Sequence, residues 1–372
     1  MSFKSLKVII RASDSCNQNC TYCYVSEQDR RARGVRISLE RLRVFFADIL
    51  SGELFTHVTI VWHGGEPTLL GYDYLNTVLG LTQELKGKGV QVDNSIQTNA
   101  TALTDEIIDL FVRQSVGVGI SLDAPPDVHE GMRVTWSGKG TLDRVLRGVD
   151  RLRKAELNFG AICVLHKQNY RRAREIYSFF KGIGLSYQLN PFYQDEGTTD
   201  AAALNLGITS EQYAEALLET FAVYANDPEH TIDVTELRDI MSSMFVGSSG
   251  NCLYRGACNE FIGIATDGRI YVCDNFGVPD ALIGDIDHTG GRDILRSKAV
   301  EFISQRPRIL QLGPCKGCKW WGICKGGCSS KARAVFGTQH REDPFCESRK
   351  LLFDRMETFL REKGGDISAH QP

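Results

Sequence analysis

Short β-rich apolar segments alternate with longer stretches that repeat apolar residues at helical spacing along the first 190 residues. Ser38 and Thr104 stand directly before two of the helical stretches, where a side-chain oxygen can cap a helix. Strands that alternate with helices in this way predict a parallel sheet with right-handed crossovers, and hence an α/β fold. The predicted strands cover residues 6–11, 57–62, 90–98, 116–122, 159–164 and 185–190, and the predicted helices cover 39–50, 72–85, 104–113, 141–154 and 170–181.

Polar residues and glycines follow most of the predicted strands. In parallel α/β folds the ligand sites lie at the carboxyl ends of the strands. The sequence therefore predicts that these segments meet at one edge of the sheet and form a ligand site there. The segments are the loop 16–25, Gly64-Gly65-Glu66-Pro67, Thr98-Asn99, Ser121-Leu122-Asp123 and Asn190-Pro191.

The second half of the chain has a different pattern. Amphipathic helices are predicted over 210–226 and 231–244, and Asp267-Gly268 separates two β-like segments in the manner of a hairpin turn. We expect a first domain over residues 1–235, a linker over 236–250, a cysteine-rich domain over 251–350, and a C-terminal helix and tail over 351–372.

Composition excludes several classes of function. The formal net charge is −3, which does not favour a nucleic-acid surface, and no run of 18 uncharged apolar residues predicts a membrane span. Twelve cysteines are present, and the first residues lack the apolar core of an export signal. We therefore expect a cytoplasmic protein whose cysteines bind metal, and we consider a disulfide framework less consistent with the sequence.

Three cysteines occupy positions i, i+4 and i+7 directly after the first predicted strand. Cys16, Cys20 and Cys23 can hold three corners of an iron–sulfur cube, which leaves one iron open for another ligand. The alternative is a zinc site, but structural zinc sites use four protein ligands and this loop offers no obvious fourth.

This Cys-x3-Cys-x2-Cys loop resembles the signature of the radical S-adenosylmethionine (SAM) enzymes, whose open iron chelates SAM. The resemblance implies a partial (β/α)6 radical SAM barrel. Gly64, Gly65, Glu66 and Pro67 resemble the family's GGEP motif, which binds the ammonium group of SAM. Ser121 and Arg133 match positions that contact the SAM carboxylate. Each motif also has a simpler interpretation: a strand-to-helix turn for the glycines, a solvated charge for Arg133 and a loop cap for Asp123.

The later cysteines resemble the seven-cysteine SPASM domain, whose spacing is C-x(9–15)-G-x(4)-C, then C-x2-C-x5-C-x3-C, then C. Gly268 fits that spacing, and Cys252 adds an eighth thiol. The resemblance implies two auxiliary 4Fe–4S clusters with four thiolates each, whereas the alternative is a pair of zinc sites. Cys163 is left over and is predicted to be a buried core thiol. The implied ligand sets are Cys252, Cys258, Cys273 and Cys328 for the first cluster, and Cys315, Cys318, Cys324 and Cys346 for the second.

Asp274 directly follows Cys273, and an Asp at this place removes a substrate proton in the anaerobic sulfatase-maturating enzymes. The whole chain resembles those enzymes in length, in the stretch 62–68 and in its cysteines. The alternative role for Asp274 is a loop cap. The resemblance implies an oxidoreductase that cleaves SAM to a 5′-deoxyadenosyl radical, abstracts a substrate hydrogen atom and oxidises a peptide or protein side chain by two electrons.

Other reactions stay open at this point. The chain could crosslink a ribosomal peptide, or dehydrogenate or epimerise an aminoglycoside or another sugar-like natural product, or act only as an electron carrier. The resemblance also implies a flavodoxin- or ferredoxin-type electron donor, with no nucleic-acid or membrane partner. The sequence does not name the substrate.

Overall fold

The structure is a computed structural model, and it describes residues 5–194, 203–247, 249–275 and 279–363. The chain divides into two units, each made of segments that are distant in sequence. Unit 1 comprises Met1–Ser121, Val134–Phe159 and Cys258–Ser304, and unit 2 comprises Leu122–Arg133, Gly160–Ala257 and Gln305–Pro372.

The strands follow the predicted alternation. In β1 the side chains of Leu6, Val8 and Ile10 are buried while those between them are half-buried, which is the period of two that a strand imposes. The described strands are β1 Ser5–Ser13, β2 His57–Gly64, β3 Gln91–Thr98, β4 Gly117–Ser121, β5 Phe159–Leu165, β6 Tyr187–Pro191, β7 Phe261–Ile264, β8 Arg269–Tyr271 and β9 Leu282–Asp285.

The helices begin where the capping residues predict. Ser38 Oγ accepts a hydrogen bond from Arg41 N and Thr104 Oγ1 accepts one from Ile107 N, both at 3.3 Å. The described helices are α1 Glu27–Arg31, α2 Leu39–Ile49, α3 Tyr72–Glu84, α4 Asp105–Arg113, α5 Pro126–Met132, α6 Leu142–Lys154, α7 Ala173–Gly182, α8 Ser210–Ala225, α9 Thr235–Val246, α10 Gly291–Arg296, α11 Lys298–Ser304, α12 Arg306–Leu312, α13 Trp321–Cys324, α14 Ser329–Phe336 and α15 Cys346–Glu362.

Unit 1 is built on a sheet with the strand order β4-β3-β2-β1-β7-β8-β9. The strands β1 to β4 are parallel, as predicted, and β7 pairs in parallel with the other edge of β1. The strand β8 pairs antiparallel with both β7 and β9, so the predicted hairpin at Asp267-Gly268 is confirmed. The position of β7 beside β1 was not predicted.

Unit 2 contains the parallel pair β5 and β6 and a helical core. The helices α8 and α15 pack through aromatic contacts: Tyr213 meets Phe345 with ring centroids 5.1 Å apart, and Phe221 meets Phe359 at 5.4 Å. None of the helices in the described ranges has the length and hydrophobicity needed to cross a bilayer.

The proposed domain boundaries remain predictions. The helix α9 covers Thr235–Val246, which is most of the predicted linker. Residue 248 of that linker and residues 364–372 of the predicted tail lie outside the described residues.

Candidate active site

The loop that carries the first three cysteines is held by two neighbouring segments. Cys16 N donates a hydrogen bond to Arg30 O of α1 at 3.0 Å, and the indole nitrogen of Trp136 donates to Cys16 O, also at 3.0 Å. Asn19 N donates to Val134 O at 2.8 Å. These hydrogen bonds attach the loop to α1 and to the segment that contains Val134 and Trp136.

The structure brings the three thiols of this loop together. Cys16 is buried, and Cys20 and Cys23 are half-buried. Burial, together with weaker repulsion from the negative charges of Glu66, Cys20 and Cys23, raises the pKa of Cys16 to about 12. A bound cationic metal group removes such a penalty and deprotonates its thiol ligands, so the donor set fits an iron–sulfur cluster.

A site for a lone metal ion needs several ligand side chains around one point. Among residues 5–194, 203–247, 249–275 and 279–363, no three His, Cys, Asp or Glu side chains surround one point as ligands of a lone ion would.

The two glycines after β2 are required by the packing of their own loop. A Cβ atom on Gly64 or Gly65 would lie 2.2 Å from the carbonyl oxygen of Ser13 or Asp14, respectively, and Gly64 has a φ of +122°. Gly65 N donates to Ser13 O at 3.0 Å. The glycines therefore let this segment lie directly against the start of the cysteine loop.

Glu66 connects the ends of β2 and β3. Its buried carboxylate accepts hydrogen bonds from Thr68 N at 3.0 Å, from the Thr68 and Thr98 hydroxyls at 2.6 Å each, and from Asn99 N at 2.6 Å. Burial raises the pKa of Glu66, while these hydrogen bonds oppose the increase. The side chain therefore holds the rim of the sheet, and Pro67 begins the turn that follows.

The predicted carboxylate-binding residues lie in different units. Ser121, at the end of β4 in unit 1, accepts a hydrogen bond from Gln97 Nε2 at 3.0 Å. In unit 2, Arg133 is 7% exposed and pairs with the buried Asp123 through Nε at 3.0 Å, so it is not a solvated surface charge. Asp123 Oδ1 also accepts a hydrogen bond from Val164 N at 2.9 Å.

Asp274 follows β8 in unit 1. Its backbone lies against Gly263 of β7, where an added Cβ would be 2.5 Å from both N and Cα of Asp274. Asp274 Oδ1 lies 3.5 Å from Cys273 Sγ. The carboxylate therefore stands beside a predicted cluster ligand, at a position that the β7–β8 hairpin fixes.

Three side chains that we did not predict, Arg11, Tyr24 and His63, lie within electrostatic range of Asp274. Tyr24 OH lies 3.1 Å from His63 Nδ1, and the two rings stack with centroids 6.4 Å apart. Arg11 binds Asp14 at 2.7 Å, and its guanidinium lies 5.6 Å from the centre of the Tyr24 ring. Burial lowers the pKa of His63, the charges of Asp274 and Asp14 oppose the change, and Arg11 reinforces it.

Only a weak signal in the sequence points to Tyr24 and His63. Tyr24 directly follows Cys23, and His63 directly precedes Gly64, so each adjoins a motif. Their contact with one another depends on the pairing of β1 with β2, which a motif scan does not include.

In unit 2 the thiols of the predicted second auxiliary cluster, Cys315, Cys318, Cys324 and Cys346, lie near one another. Burial is the main cause that raises the pKa of Cys315 to about 11 and that of Cys346 to about 12. Repulsion from Cys324 and Cys318 contributes at Cys315, and repulsion from Cys324 contributes at Cys346. The four thiols of the predicted second auxiliary cluster therefore lie within electrostatic range of one another.

A buried arginine, Arg349, lies near this thiol set. Arg349 pairs with Asp343 at 2.9 Å, both 1% exposed, while Nε and Nη1 of Arg349 have no hydrogen-bond partner within the described ranges. Such buried donors are costly unless an anionic group accepts from them. Arg349 also lowers the pKa of Cys324 by its charge, against the larger effect of burial. The unpaired donors fit the negatively charged sulfur atoms of a cluster at this site.

The thiols of the predicted first auxiliary cluster belong to two different units. Cys258 precedes β7 and Cys273 follows β8 in unit 1, whereas Cys252 and Cys328 belong to unit 2. Their shared cluster remains a prediction. Cys163 is fully buried on β5, which confirms it as a core thiol.

Known proteins resemble this chain in sequence. Residues 10–180 match the family model of the radical SAM superfamily. The chain is 24% identical over 360 residues to a cysteine-type anaerobic sulfatase-maturating enzyme of Clostridium perfringens, covering 94% of this chain and 95% of the relative. It is 24% identical over 328 residues to the serine-type enzyme of Klebsiella aerogenes, covering 86% and 78%.

A solved structure shares the fold. Native anSMEcpe with bound AdoMet superposes with a TM-score of 0.83 at 23% identity, and the match covers 96% of this chain and 99% of that one. The expected α/β fold is thereby confirmed. The chain carries a radical SAM domain over residues 10–180.

Proposed function

We propose that this radical SAM enzyme oxidises a Cys or Ser side chain of a peptide or protein by two electrons, in the manner of formylglycine formation. The observation that carries the proposal is the position of Asp274 in unit 1. It lies within electrostatic range of His63 and Tyr24, which directly adjoin the GGEP segment and the cysteine loop. The relatives named for the same activity, of both cysteine and serine type, support it.

We assign a separate role in this reaction to each group of residues. Cys16, Cys20 and Cys23 would hold the 4Fe–4S cluster, which supplies the electron for cleavage of SAM. Gly64, Gly65, Glu66, Pro67, Ser121 and Arg133 would shape and bind the SAM site. Asp274 would accept the proton that leaves the substrate carbon during oxidation. The two auxiliary clusters would be held by Cys252, Cys258, Cys273 and Cys328, and by Cys315, Cys318, Cys324 and Cys346.

The partners follow from this chemistry. We propose a peptide or protein substrate and a flavodoxin- or ferredoxin-type electron donor in the cytoplasm. Structures of anSMEcpe with bound peptides support the peptide substrate. Peptide crosslinking and the oxidation of a sugar-like molecule are the competing reactions.

The test uses anaerobically reconstituted enzyme, a chemical reductant and two sulfatase peptides that carry Cys or Ser at the modified position. We expect an aldehyde product, detected by mass spectrometry and by hydrazide labelling, with one 5′-deoxyadenosine formed per turnover. An intrapeptide crosslink, or unmodified peptide despite SAM cleavage, would overturn the proposal.

The variant Asp274→Asn tests the proposed base. It keeps the size of the side chain and removes the basic oxygen, so we expect SAM cleavage to continue while aldehyde formation falls at least a hundredfold. The matched control is Asp280→Asn, an exposed carboxylate in the same unit, which should leave both rates unchanged. Normal aldehyde formation by Asp274→Asn would remove this residue from the mechanism.

A further inference from the structure

The surface beside the thiol set of Cys315, Cys318, Cys324 and Cys346 is unusually basic. Residues 312–363 contain eleven Lys and Arg against six Asp and Glu, although the whole chain has a net charge of −3. Cys318 and Cys346 are only partly buried, so this surface lies close to the thiols. The charge of this segment is therefore opposite in sign to that of the rest of the chain.

Ionic contacts join the two segments that form this surface. Lys319 pairs with Asp354 of α15 at 2.5 Å, and the indole nitrogen of Trp320 donates to the same carboxylate at 3.2 Å. The charges of Cys346 and Cys318 raise the pKa of Lys350, after the larger effect of its hydrogen bond to Glu347. The turn that carries Lys319 and Trp320 therefore lies against α15 at Asp354, and Lys350 lies within electrostatic range of Cys318.

The carboxylates of this surface are already paired with cations. Glu347 binds Lys350 at 2.8 Å, and Glu357 binds Arg361 at 2.9 Å. Lys316 and Arg355 are exposed and have no ion-pair partner in the part of the chain that the structure describes. The surface consequently presents uncompensated positive charge to the solvent.

Exposed apolar side chains lie among these cations. Leu312 is 72% exposed at the end of α12, and Leu351 is 50% exposed on α15, one turn before Arg355. Exposed leucines within a charged rim are typical of surfaces that bind another protein. We define the basic face by Leu312, Lys316, Lys319, Lys350, Leu351 and Arg355.

We infer that the basic face is the docking surface for a small acidic protein that carries one electron at a time. The inference rests on the proposed function, because that function requires an external electron carrier. Charge complementarity selects an acidic partner, and the exposed leucines of the same two segments offer it apolar contact area. Small proteins that bind a flavin or an iron–sulfur cluster and have an acidic surface meet both requirements.

The test measures binding rather than catalysis. Oxidised flavodoxin and ferredoxin are titrated into the anaerobically reconstituted enzyme at low and high salt, with basic cytochrome c as a probe of opposite charge. We expect the acidic carriers to bind, the affinity to fall as salt rises, and cytochrome c to bind at least tenfold more weakly. Equal binding of cytochrome c, or no binding of either acidic carrier, would overturn the inference.

Charge reversal locates the surface. The double variant Lys316→Glu/Arg355→Glu should weaken carrier binding at least tenfold, and Lys316→Gln/Arg355→Gln should weaken it less. The matched control Lys88→Glu/Lys154→Glu changes the net charge equally at exposed positions of unit 1. Iron content, and SAM cleavage driven by a chemical reductant, should be unchanged in all three variants. Equal weakening by the control would show that only net charge matters and would refute the basic face.

The two proposals can fail separately. If the peptides stay unmodified while the carriers still bind the basic face, the proposed function fails and the docking surface stands. If the peptides are oxidised with a chemical reductant but the carriers bind elsewhere, the docking inference alone is wrong. Zero-length crosslinking of flavodoxin carboxylates to Lys316, Lys319 or Lys350 gives an independent readout by mass spectrometry.

Discussion

Gly263 on β7 has no Cβ atom, and the backbone of Asp274 occupies the space where one would lie. The distance of 2.5 Å to both N and Cα of Asp274 is shorter than a nonbonded carbon contact permits. Because the neighbouring atoms belong to the main chain, rotation of a side chain cannot relieve the overlap. Only glycine at position 263 therefore leaves room for Asp274 where it now lies.

The variant Gly263→Ala should therefore displace Asp274 and Cys273. We expect aldehyde formation to fall at least tenfold while SAM cleavage persists, since a shift of this size misplaces a reacting group. Aldehyde yield per 5′-deoxyadenosine is the measurement. Gly80→Ala on α3 is the control: its Cβ meets no atom within 4 Å, and activity should be unchanged. Full coupling in Gly263→Ala would contradict the assigned position of Asp274.

Residue types and spacing were enough to propose roles for the cysteines and the GGEP segment, because metal ligation and close backbone contact restrict which residues can serve. They did not predict what Gly64 and Gly65 touch, since a short motif does not reveal which loop lies opposite. The proximity of Tyr24, His63 and Arg11 to Asp274 was also missed. It depends on strands that are brought together from more than 250 residues apart in the sequence.

At the scale of elements, Arg306 joins α12 to the cysteine-bearing turns of unit 2. Its guanidinium is 1% exposed and donates hydrogen bonds to the carbonyl oxygens of Gln339, Gly327, Gly326 and Arg341 at 2.6 to 3.0 Å. A planar group with five N–H donors can satisfy four carbonyls at once, whereas an ammonium has three donors on one atom.

Arg306→Lys should accordingly leave buried carbonyl oxygens without donors. We expect a loss of about 3 kcal/mol in the free energy of unfolding, because each unsatisfied buried group costs about 1–3 kcal/mol. Thermal unfolding of the reconstituted enzyme measures the loss. Arg308→Lys, an exposed position on the same helix, should change little. Similar melting temperatures for both variants would show that Arg306 does not stabilise these turns.

Glu236 connects α9 to β6 and makes the stability of unit 2 depend on pH. Its carboxylate accepts a hydrogen bond from Leu189 N at 2.9 Å, and burial raises its pKa from 4.5 to about 7. The folded protein therefore holds this proton more tightly than the unfolded chain does. Stability should fall as the pH rises from about 4.5 to about 7 and then level off.

The variant Glu236→Gln should remove this dependence and be more stable than the parent above pH 7, by on the order of 3 kcal/mol. Thermal unfolding between pH 5 and 9 measures it, with Glu106→Gln, an exposed carboxylate on α4, as the control. If the variant and the parent show the same pH dependence, Glu236 is ionised in the folded state at neutral pH.

Hydrophobic alternation predicted β1 to β6 because each strand has a buried and a less buried face. The strand β7 has four residues, all buried, so its sequence has no alternation to read. Its place beside β1 depends on a contact between segments that are distant in the chain. The helices α10 to α14 are short, at eight residues or fewer, and their sequences gave little periodicity.

At the scale of the molecule, the metal content is the decisive quantity. Three cubes with four irons each predict about twelve irons and about twelve sulfides per chain after anaerobic reconstitution. Removing one ligand from each of two sites, by Cys16→Ala or Cys324→Ala, should lower iron by about four in each variant. Iron and sulfide analysis measures this, and a protein that holds zinc in place of iron would contradict the assignment.

Unit 1 takes residues from three separated segments, whereas the domains expected from the sequence are continuous and remain predictions. A boundary drawn along the sequence cannot represent a unit that the chain enters, leaves and re-enters. The cysteine-rich region is consequently divided, with the β7–β8 hairpin in unit 1 and residues 305–363 in unit 2.

The pairing of β7 with β1 has a consequence for biosynthesis. A ribosome completes β1 and β2 more than 190 residues before it completes Phe261–Ile264, so one side of β1 has no backbone partner throughout that interval. Unpaired strand edges promote association between nascent chains. A gene truncated after residue 250 should therefore yield inclusion bodies, and co-expression of a fragment that starts at residue 251 should restore recovery in the supernatant.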